Sequence, residues 1–353
     1  SAMICDILNP DRSPYEGDSR YILKKQLKKL KEKGFSYNVG PELEFFIFKD
    51  DNNPQILDEG GYFDITTLDA GNNVRREVIL TLEKMGIDVE YSHHEGAPSQ
   101  HEIDLRYKEG LEMADIVMVY RMVVKDVAQA NGLYATFMPK PIYGVNGSGM
   151  HVHQSLFKGD KNVFFDKNDK YNLSDIGKKY IAGILNHSRE ITFVCNQWVN
   201  SYKRLVPGYE APVYICWARR NRSSLVRIPM YKPGKEKSTR VEFRSPDPAC
   251  NPYLSFACMS AAGMRGIENN YQLPEPLERD VYHLTDEEME QLNIKCLPGS
   301  LIEAIEVAEE SKFLKEVLGD HIYNNLITAK KIEWDMYRQQ ITDFEIKTYF
   351  PTL

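Results

Sequence analysis

The 353-residue chain has no run of eighteen apolar residues. Its best apolar stretch, 116–124, is short and broken by Arg121, so nothing reads as a membrane span or a secretory leader. Positive charge is not in excess. The net charge is −7, with 44 Lys and Arg against 51 Asp and Glu, which argues against nucleic-acid binding through phosphate contacts. Paired cysteines are missing too. Cys5, Cys195, Cys216, Cys250, Cys258 and Cys296 are scattered without a Cys-x-x-Cys pair. They read as reduced, partly buried thiols of a cytoplasmic protein, not as a disulfide frame or a zinc site. No internal repeat, low-complexity tract or long linker appears. What the chain does have is 42% hydrophobic residues, enough for a substantial core in one large domain or two. Residues 1–3, Ser1-Ala2 ahead of Met3, read as a cloning remnant and stay outside the fold.

Helical spacing marks 18–34, with Asp18 or Ser19 as N-cap and Gly34 as stop. It also marks 70–85 before Gly86, then 110–131, 175–193, 251–268 and most of 285–347. The stripe Met113, Ile116, Val117, Tyr120, Val124 and Val127 reads as core, and the lysines of 18–34 as a solvated face. Strand patterns fall at 37–48, 87–91, 100–107, 133–138, 148–157, 225–229 and 239–245. The segment 200–212, with Pro207, Gly208 and Pro212, reads as an ordered loop that cannot sustain a helix or a central strand. Strands and helices mix without a strict βαβ rhythm. This predicts an α+β fold: a curved, mainly antiparallel sheet with helices packed outside.

Three of the strands carry a polar dyad. They are Val39-Gly-Pro-Glu-Leu-Glu-Phe-Phe-Ile-Phe48, Gly149-Met-His-Val-His-Gln-Ser-Leu156 and Thr239-Arg-Val-Glu-Phe-Arg-Ser245. Side chains at i and i+2 of a strand point the same way. Glu42 and Glu44 therefore share a face, as do His151 and His153, and as do Arg240, Glu242 and Arg244. The opposite faces carry Leu43, Phe45, Val152, Val241 and Phe243, which require a core. Three such strands predict one polar cavity over a sheet, and its buried carboxylates need cations. The segment Tyr91-Ser-His-His-Glu-Gly-Ala-Pro-Ser-Gln-His-Glu-Ile-Asp104 adds Glu95 and Glu102. Five Glu with one or two His form an oxygen-rich set that suits Mg²⁺ or Mn²⁺ better than zinc. His93, His94 and His101 read as structural.

Arg204, Arg222, Arg227, Arg240 and Arg244 fall in or beside the same segments, whereas Arg219 and Arg220 read as structural ion pairs. Divalent metals with several arginines point to phosphoryl transfer. The Gly-rich Asn146-Gly-Ser-Gly149 is no P-loop, because GxxxxGK[ST] is absent.

These motifs together resemble those of type I glutamine synthetases. Gly-Pro-Glu-Leu-Glu-Phe-Phe, His-His-Glu with Gln-x-Glu, and Asn-Gly-Ser-Gly-Met-His-x-His occur in the family's order. So do Lys-Arg-Leu-Val-Pro-Gly-Tyr-Glu-Ala-Pro, Arg-Asn-Arg-Ser and Arg-Val-Glu-Phe-Arg-Ser-Pro-Asp. The resemblance runs over 4–353 and implies the family's catalytic-domain fold. It implies ATP-dependent ligation of ammonia to the γ-carboxylate of L-glutamate through γ-glutamyl phosphate, giving glutamine, ADP and phosphate. It implies two or three Mg²⁺ or Mn²⁺ ions per site, with ATP as co-substrate. Glu44, Glu95 and Glu102 match the ligands of the first metal, and Glu42, His151 and Glu242 those of the second. Asn146 and Gly147 match positions at the amino-acid end of glutamate, Arg204 a carboxylate contact, and Arg244 a residue over the reacting γ-carboxylate. Arg222 and Arg227 match phosphate-binding arginines. Glu90, Tyr107, His153, Ser155 and Lys237 match nucleotide contacts. Glu210 matches the acid of a flap that closes over the ammonium site.

The family's proteins usually begin with a β-rich (β-grasp) domain of roughly a hundred residues. It packs on the neighbouring subunit and supplies an acidic group to the ammonium site. The full-length form is implied to be a homo-dodecamer of two hexameric rings. This chain starts where that domain would end, so the expectation is an isolated catalytic domain, monomeric or a smaller oligomer, of low or no activity. Neither nucleic acid nor membrane is an expected partner. The short stretch between Glu44 and Glu95 resembles the unadenylylated subtype, leaving Tyr282 an ordinary loop tyrosine. The end of the chain, from Glu333-Trp to Lys347-Thr-Tyr-Phe-Pro, resembles the family's inter-ring tail and predicts an exposed apolar helix. Two alternatives stand beside the ligase: a same-fold enzyme joining glutamate to a polyamine or methylamine, and a non-catalytic structural relative. The intact flap with Glu210 favours ammonia, and the filled ligand positions favour an enzyme.

Overall fold

One long strand, β1 (Ser36–Phe48), organises the sheet. The computed structural model describes residues 3–230, 232–279, 281 and 285–353. Along the sheet follow β2 (Val89–His94), β3 (Gln100–Leu105), β4 (Lys108–Glu109), β5 (Tyr134–Thr136) and β6 (Met150–Lys158). Then come β7 (Lys161–Asn162), β8 (Trp217–Ala218), β9 (Val226–Arg227) and β10 (Val241–Phe243). Their order is β2-β3-β1-β6-β10-β9-β8, with β4 and β5 also on β1 and β7 on β6. All pairs are antiparallel except β8 with β9. The sheet is open, and the fold is α+β.

The helices are α1 (Ser19–Glu32), α2 (Asn72–Lys84), α3 (Gly110–Ala130), α4 (Asp175–Cys195) and α5 (Ser201–Arg204). They continue as α6 (Pro252–Glu268), α7 (Asp286–Gln291), α8 (Leu301–Glu310), α9 (Lys312–Arg338), broken at Gly319, and α10 (Asp343–Thr348). No helix among the described residues is long and apolar enough to cross a membrane. Side-chain caps set the starts: Asp18 accepts from the Arg20 N–H, Ser174 from Gly177, and Asn251 from Tyr253 and Leu254 behind Pro252. Helices α1 and α3 contact β1, and α6 lies against α1, α3 and α4. The α4–α6 crossing is backbone on backbone. A Cβ at Gly266 would lie 2.6 Å from the Gly183 nitrogen, so a larger residue there would push the helices apart.

The helix side of the sheet is the apolar one. Leu43, Phe45, Val152, Val241 and Phe243 are fully buried in the main core. Two tyrosines from that side, Tyr37 and Tyr180, each donate to Gln154 Oε1 at 2.8 Å, which satisfies the polar group β6 carries into the core. Glu42, Glu44, His151, His153 and Glu242 therefore face the other way, because the strand period leaves them no alternative.

The structure adjusts the reading in two places. Segment 200–212 contains one helical turn, α5; its prolines lie farther on, so the residues before them are free to coil. The strands expected at 225–229 and 239–245 shrink to β9 and β10. Beyond β10 the Arg244 N–H still donates to the Leu225 carbonyl at 3.0 Å, the next position of the same antiparallel register. At the C-terminus, Phe344 and Phe350 are exposed on and after α10, as the apolar pattern predicts.

Candidate active site

Strand register brings the dyads together. Antiparallel pairing sets Glu42 opposite His151 on β6 and opposite Asp104 on β3. It sets Glu44 opposite Glu102, and Glu242 opposite His153. Directly paired residues share a face. The result is an open cleft on the polar side, whose lining includes Glu42, Glu44, Glu95, Glu102, His151, Arg204, Arg222, Arg227 and Arg244.

Two donor groups lie in it. Glu42, His151 and Glu242 have ligand atoms within 4.8 Å of one another, and so have His93, Glu95 and Glu102. Glu44 stands between the groups. Its Oε1 is 3.9 Å from His151 Nε2, while its Oε2 accepts from Gln100 Nε2 and from the Gly149 N–H, each at 2.9 Å. Both groups are mainly carboxylate oxygen with one imidazole, a donor set that fits a hard divalent cation.

The electrostatics point the same way. Burial pushes the Glu44 carboxyl up to about 7 against the pull of Arg204. Burial and repulsion from Glu44 push Glu95 up to about 9. Burial, Asp104 and Glu42 raise Glu102, and burial with Glu42 raises Asp104 to about 7. Carboxylates crowded like this are poised to gain from a cation. His151 is pushed down to about 4 by burial and by Arg244, so its imidazole is neutral and able to ligate. Glu42 and Glu242 go the other way. Burial raises Glu42, but His153 and His151 outweigh it and hold its carboxyl well below the ordinary range. Burial raises Glu242 too, but Arg244, His153 and Arg227 outweigh burial and hold it at about 2.

The arginines are fixed by the backbone. Arg204 is 3% exposed and donates from Nη1 to the Ser245 carbonyl at 2.6 Å and from Nη2 to the Arg244 carbonyl at 3.2 Å. A Cβ on Gly149 would sit 2.6 Å from Arg204 Nη2, so this glycine makes room for the guanidinium. Arg244 and Arg227 pair with Glu242, and Arg222 lies over the Tyr62 ring at 5.6 Å. Beyond α5 the chain runs as a loop through Tyr209 and Glu210, which line the cleft. Glu210 is exposed.

A second recess opens on the far side of Glu42. Glu90, Tyr107, His153, Ser155 and Lys237 all line it, as does Arg240. His153 Nε2 lies 2.6 Å from Glu42 Oε1, and its Nδ1 accepts from Arg240 Nε at 3.1 Å, so one imidazole links the two cavities. Tyr91 and Glu42 line both.

Residues 16–349 match the family model described as glutamine synthetase, catalytic domain. The chain belongs to that family. The glutamine synthetase of Methanosarcina mazei is 51% identical over 352 residues, covering 99% of this chain and 78% of that protein. That of Mycolicibacterium smegmatis is 52% identical over 351 residues, covering 98% and 79%. The solved Plasmodium falciparum glutamine synthetase superposes with a TM-score of 0.88 at 26% identity, covering 98% of this chain and 81% of that one. The GmaS/ADP complex does so with a TM-score of 0.88 at 31% identity, covering 98% and 80%.

Within this family fold, one reading of the histidines needs correction. His93, read as structural, lines the cleft. Its Nε2 lies 3.1 Å from Glu102 Oε1, and its ring forms a tight group with Glu95 and Glu102. The alternation at the end of β2 was the available signal. His94 and His101 do stay behind the sheet, where they meet Asp58. His94 Nε2 is 2.9 Å from Asp58 Oδ1, and His101 Nδ1 accepts from Arg75 Nη1 at 2.8 Å. The buried Arg75 guanidinium makes this third cluster a poor cation site and a good structural hub. Sequence reasoning also missed Tyr62, Phe63 and Tyr209 in the cleft. They lie on loops, which carry no period to read. The Tyr282 expectation lies outside the described residues.

Proposed function

We propose that the chain joins ammonia to the γ-carboxylate of L-glutamate using ATP, by way of γ-glutamyl phosphate. The observation that carries this reading is the meeting of two cavities at Glu42, one rich in carboxylates and arginines, the other holding the five positions matched to nucleotide contacts. The family and the named relatives support it.

In this reading Glu42, His151 and Glu242 hold one divalent cation, and Glu95 and Glu102, with Glu44 and His93 beside them, hold another. Bound Mg²⁺ or Mn²⁺ supplies charge neutralisation for the transferred phosphoryl group. Arg222 and Arg227 orient phosphate oxygens with planar donor forks, and Arg244 lies over the reacting γ-carboxylate. Arg204, Asn146 and Gly147 orient glutamate. In the first step a γ-carboxylate oxygen attacks the γ-phosphorus and ADP departs. In the second, the ammonia nitrogen attacks the acyl carbon and phosphate departs. Glu210 takes the proton that ammonium must lose before it can attack. The flap keeps water, a competing nucleophile, from the acyl phosphate.

The test is phosphate release dependent on both ATP and glutamate, with ammonium or hydroxylamine as acceptor, beside calorimetry of ADP·Mn²⁺. Release that needs glutamate and is accelerated by ammonium supports the reading. Preference for methylamine over ammonium in competition would move the activity to the amine-accepting alternative. Absence of ADP·Mn²⁺ binding would defeat both.

A further inference from the structure

Lys140 lies at the junction of two segments that face the cleft. Its ammonium sits over the Tyr209 ring, 3.9 Å from the centroid, and donates to the Val145 carbonyl. Among the described residues it has no carboxylate partner. The Lys140 backbone is clamped from the other side. Its N–H donates to Asn200 Oδ1 at 2.7 Å, and its carbonyl accepts from Asn200 Nδ2 at 3.0 Å. The place from which the side chain reaches out is therefore fixed.

Both of its contacts adjoin functional positions. Val145 precedes Asn146 and Gly147, and Tyr209 precedes Glu210, all three of which line the cleft. One ammonium thus ties the wall of the cleft to the flap across its mouth. The flap needs such a tie. Gly208 has φ 91° and Glu210 has φ 54°, a left-handed conformation that a glutamate adopts only when its surroundings hold it. Glu210 itself is exposed, so packing of its own side chain does not supply that hold.

We infer that Lys140 is a positioning residue that latches the flap: its contact with the Tyr209 ring, braced by Val145 and Asn200, keeps Glu210 at the mouth of the cleft. The catalytic consequence rests on the ligase reading above, whereas the latch is a contact measurable without turnover. A cation on a partly desolvated aromatic face is strong enough to matter for a short loop.

Three variants of the full chain test it: Lys140→Met, which keeps the stem and removes the charge; Lys140→Arg, which keeps a cation; and Tyr209→Leu, which removes the ring. The first readout is amide hydrogen exchange across 206–211. Lys140→Met and Tyr209→Leu are expected to exchange about tenfold faster there than wild type, with Lys140→Arg close to wild type. The second is the ratio of phosphate released without ammonium to product formed with it, together with KM for ammonium. Lys140→Met is expected to raise both several-fold while ADP·Mn²⁺ affinity stays put, and Lys140→Arg to restore them. Equal exchange in Lys140→Met and wild type overturns the latch. Faster exchange with unchanged coupling overturns its role in the reaction. Faster exchange in a protein whose wild type shows no glutamate-dependent phosphate release leaves the latch standing and sinks the ligase reading instead.

Discussion

Arg244 donates from Nη1 to the carboxylate of Glu242, two residues earlier on the same face. Glu242 is wholly buried and is paired with Arg227 as well. A group expected to bind a cation is thus held ionised by two arginines, ready without deprotonation.

From this, Glu242→Ala carries two penalties. Removing the carboxylate leaves Arg244 buried beside no counter-charge, which costs about 3–5 kcal/mol, read as a lower denaturant midpoint. Mn²⁺ affinity falls by more than the roughly 10–100-fold typical of losing an outer-shell partner. Calorimetry of Mn²⁺ into the refolded variant checks it, and undiminished affinity would remove Glu242 from the ligand set.

Glu210→Ala separates the flap from the cation groups. ADP·Mn²⁺ binding is expected within about twofold of wild type, because Glu210 does not line the nucleotide recess, while synthesis drops about 10²-fold or more. Markedly weaker nucleotide binding would show that the assigned role is wrong.

The crowded carboxyls set a pH dependence. Glu44, Asp104 and Glu95 have folded values of about 7, 7 and 9, above their ordinary ones. The folded protein therefore binds more protons than the unfolded chain between about pH 4.5 and 9. Stability from these groups is full below that window and is lost as pH rises through it. The Tm of chelator-treated protein is expected to fall a few degrees from pH 5 to pH 9. Added Mn²⁺ reverses the trend, because ligands bind metal deprotonated. A melting curve rising across that range without metal would contradict the clustering.

Asp58 joins three segments. Its carboxylate accepts from the Ser99 N–H at 3.0 Å and the Ala70 N–H at 2.9 Å, and it pairs with His94 Nε2. His94 and Ser99 bracket the loop that carries Glu95. Asp58→Ala is expected to destabilise by about 3 kcal/mol and weaken Mn²⁺ binding about tenfold, with Asp58→Asn intermediate. Equal Mn²⁺ affinity in folded Asp58→Ala would show that the hub does not position Glu95.

The polar dyads made much of this legible in advance. Period two placed Glu42 with Glu44 and His151 with His153, and buried hydrophobic partners told which side was core. The helix cap at Asp18 was an equally local signal. These rules act over a few residues, so a sequence states them directly. Tertiary structure alone decided which dyads meet. The register of β1 against β3 and β6 sets Glu44 on Glu102 and Glu42 on His151, and a one-residue slip would have turned each to the core. It also brought His93 into the cleft, Asp58 beneath His94, and Lys140 under Tyr209, partners 69 residues apart. Such pairings depend on how loops close across the sheet, a free-energy choice made by the whole packed core, and no local pattern encodes it.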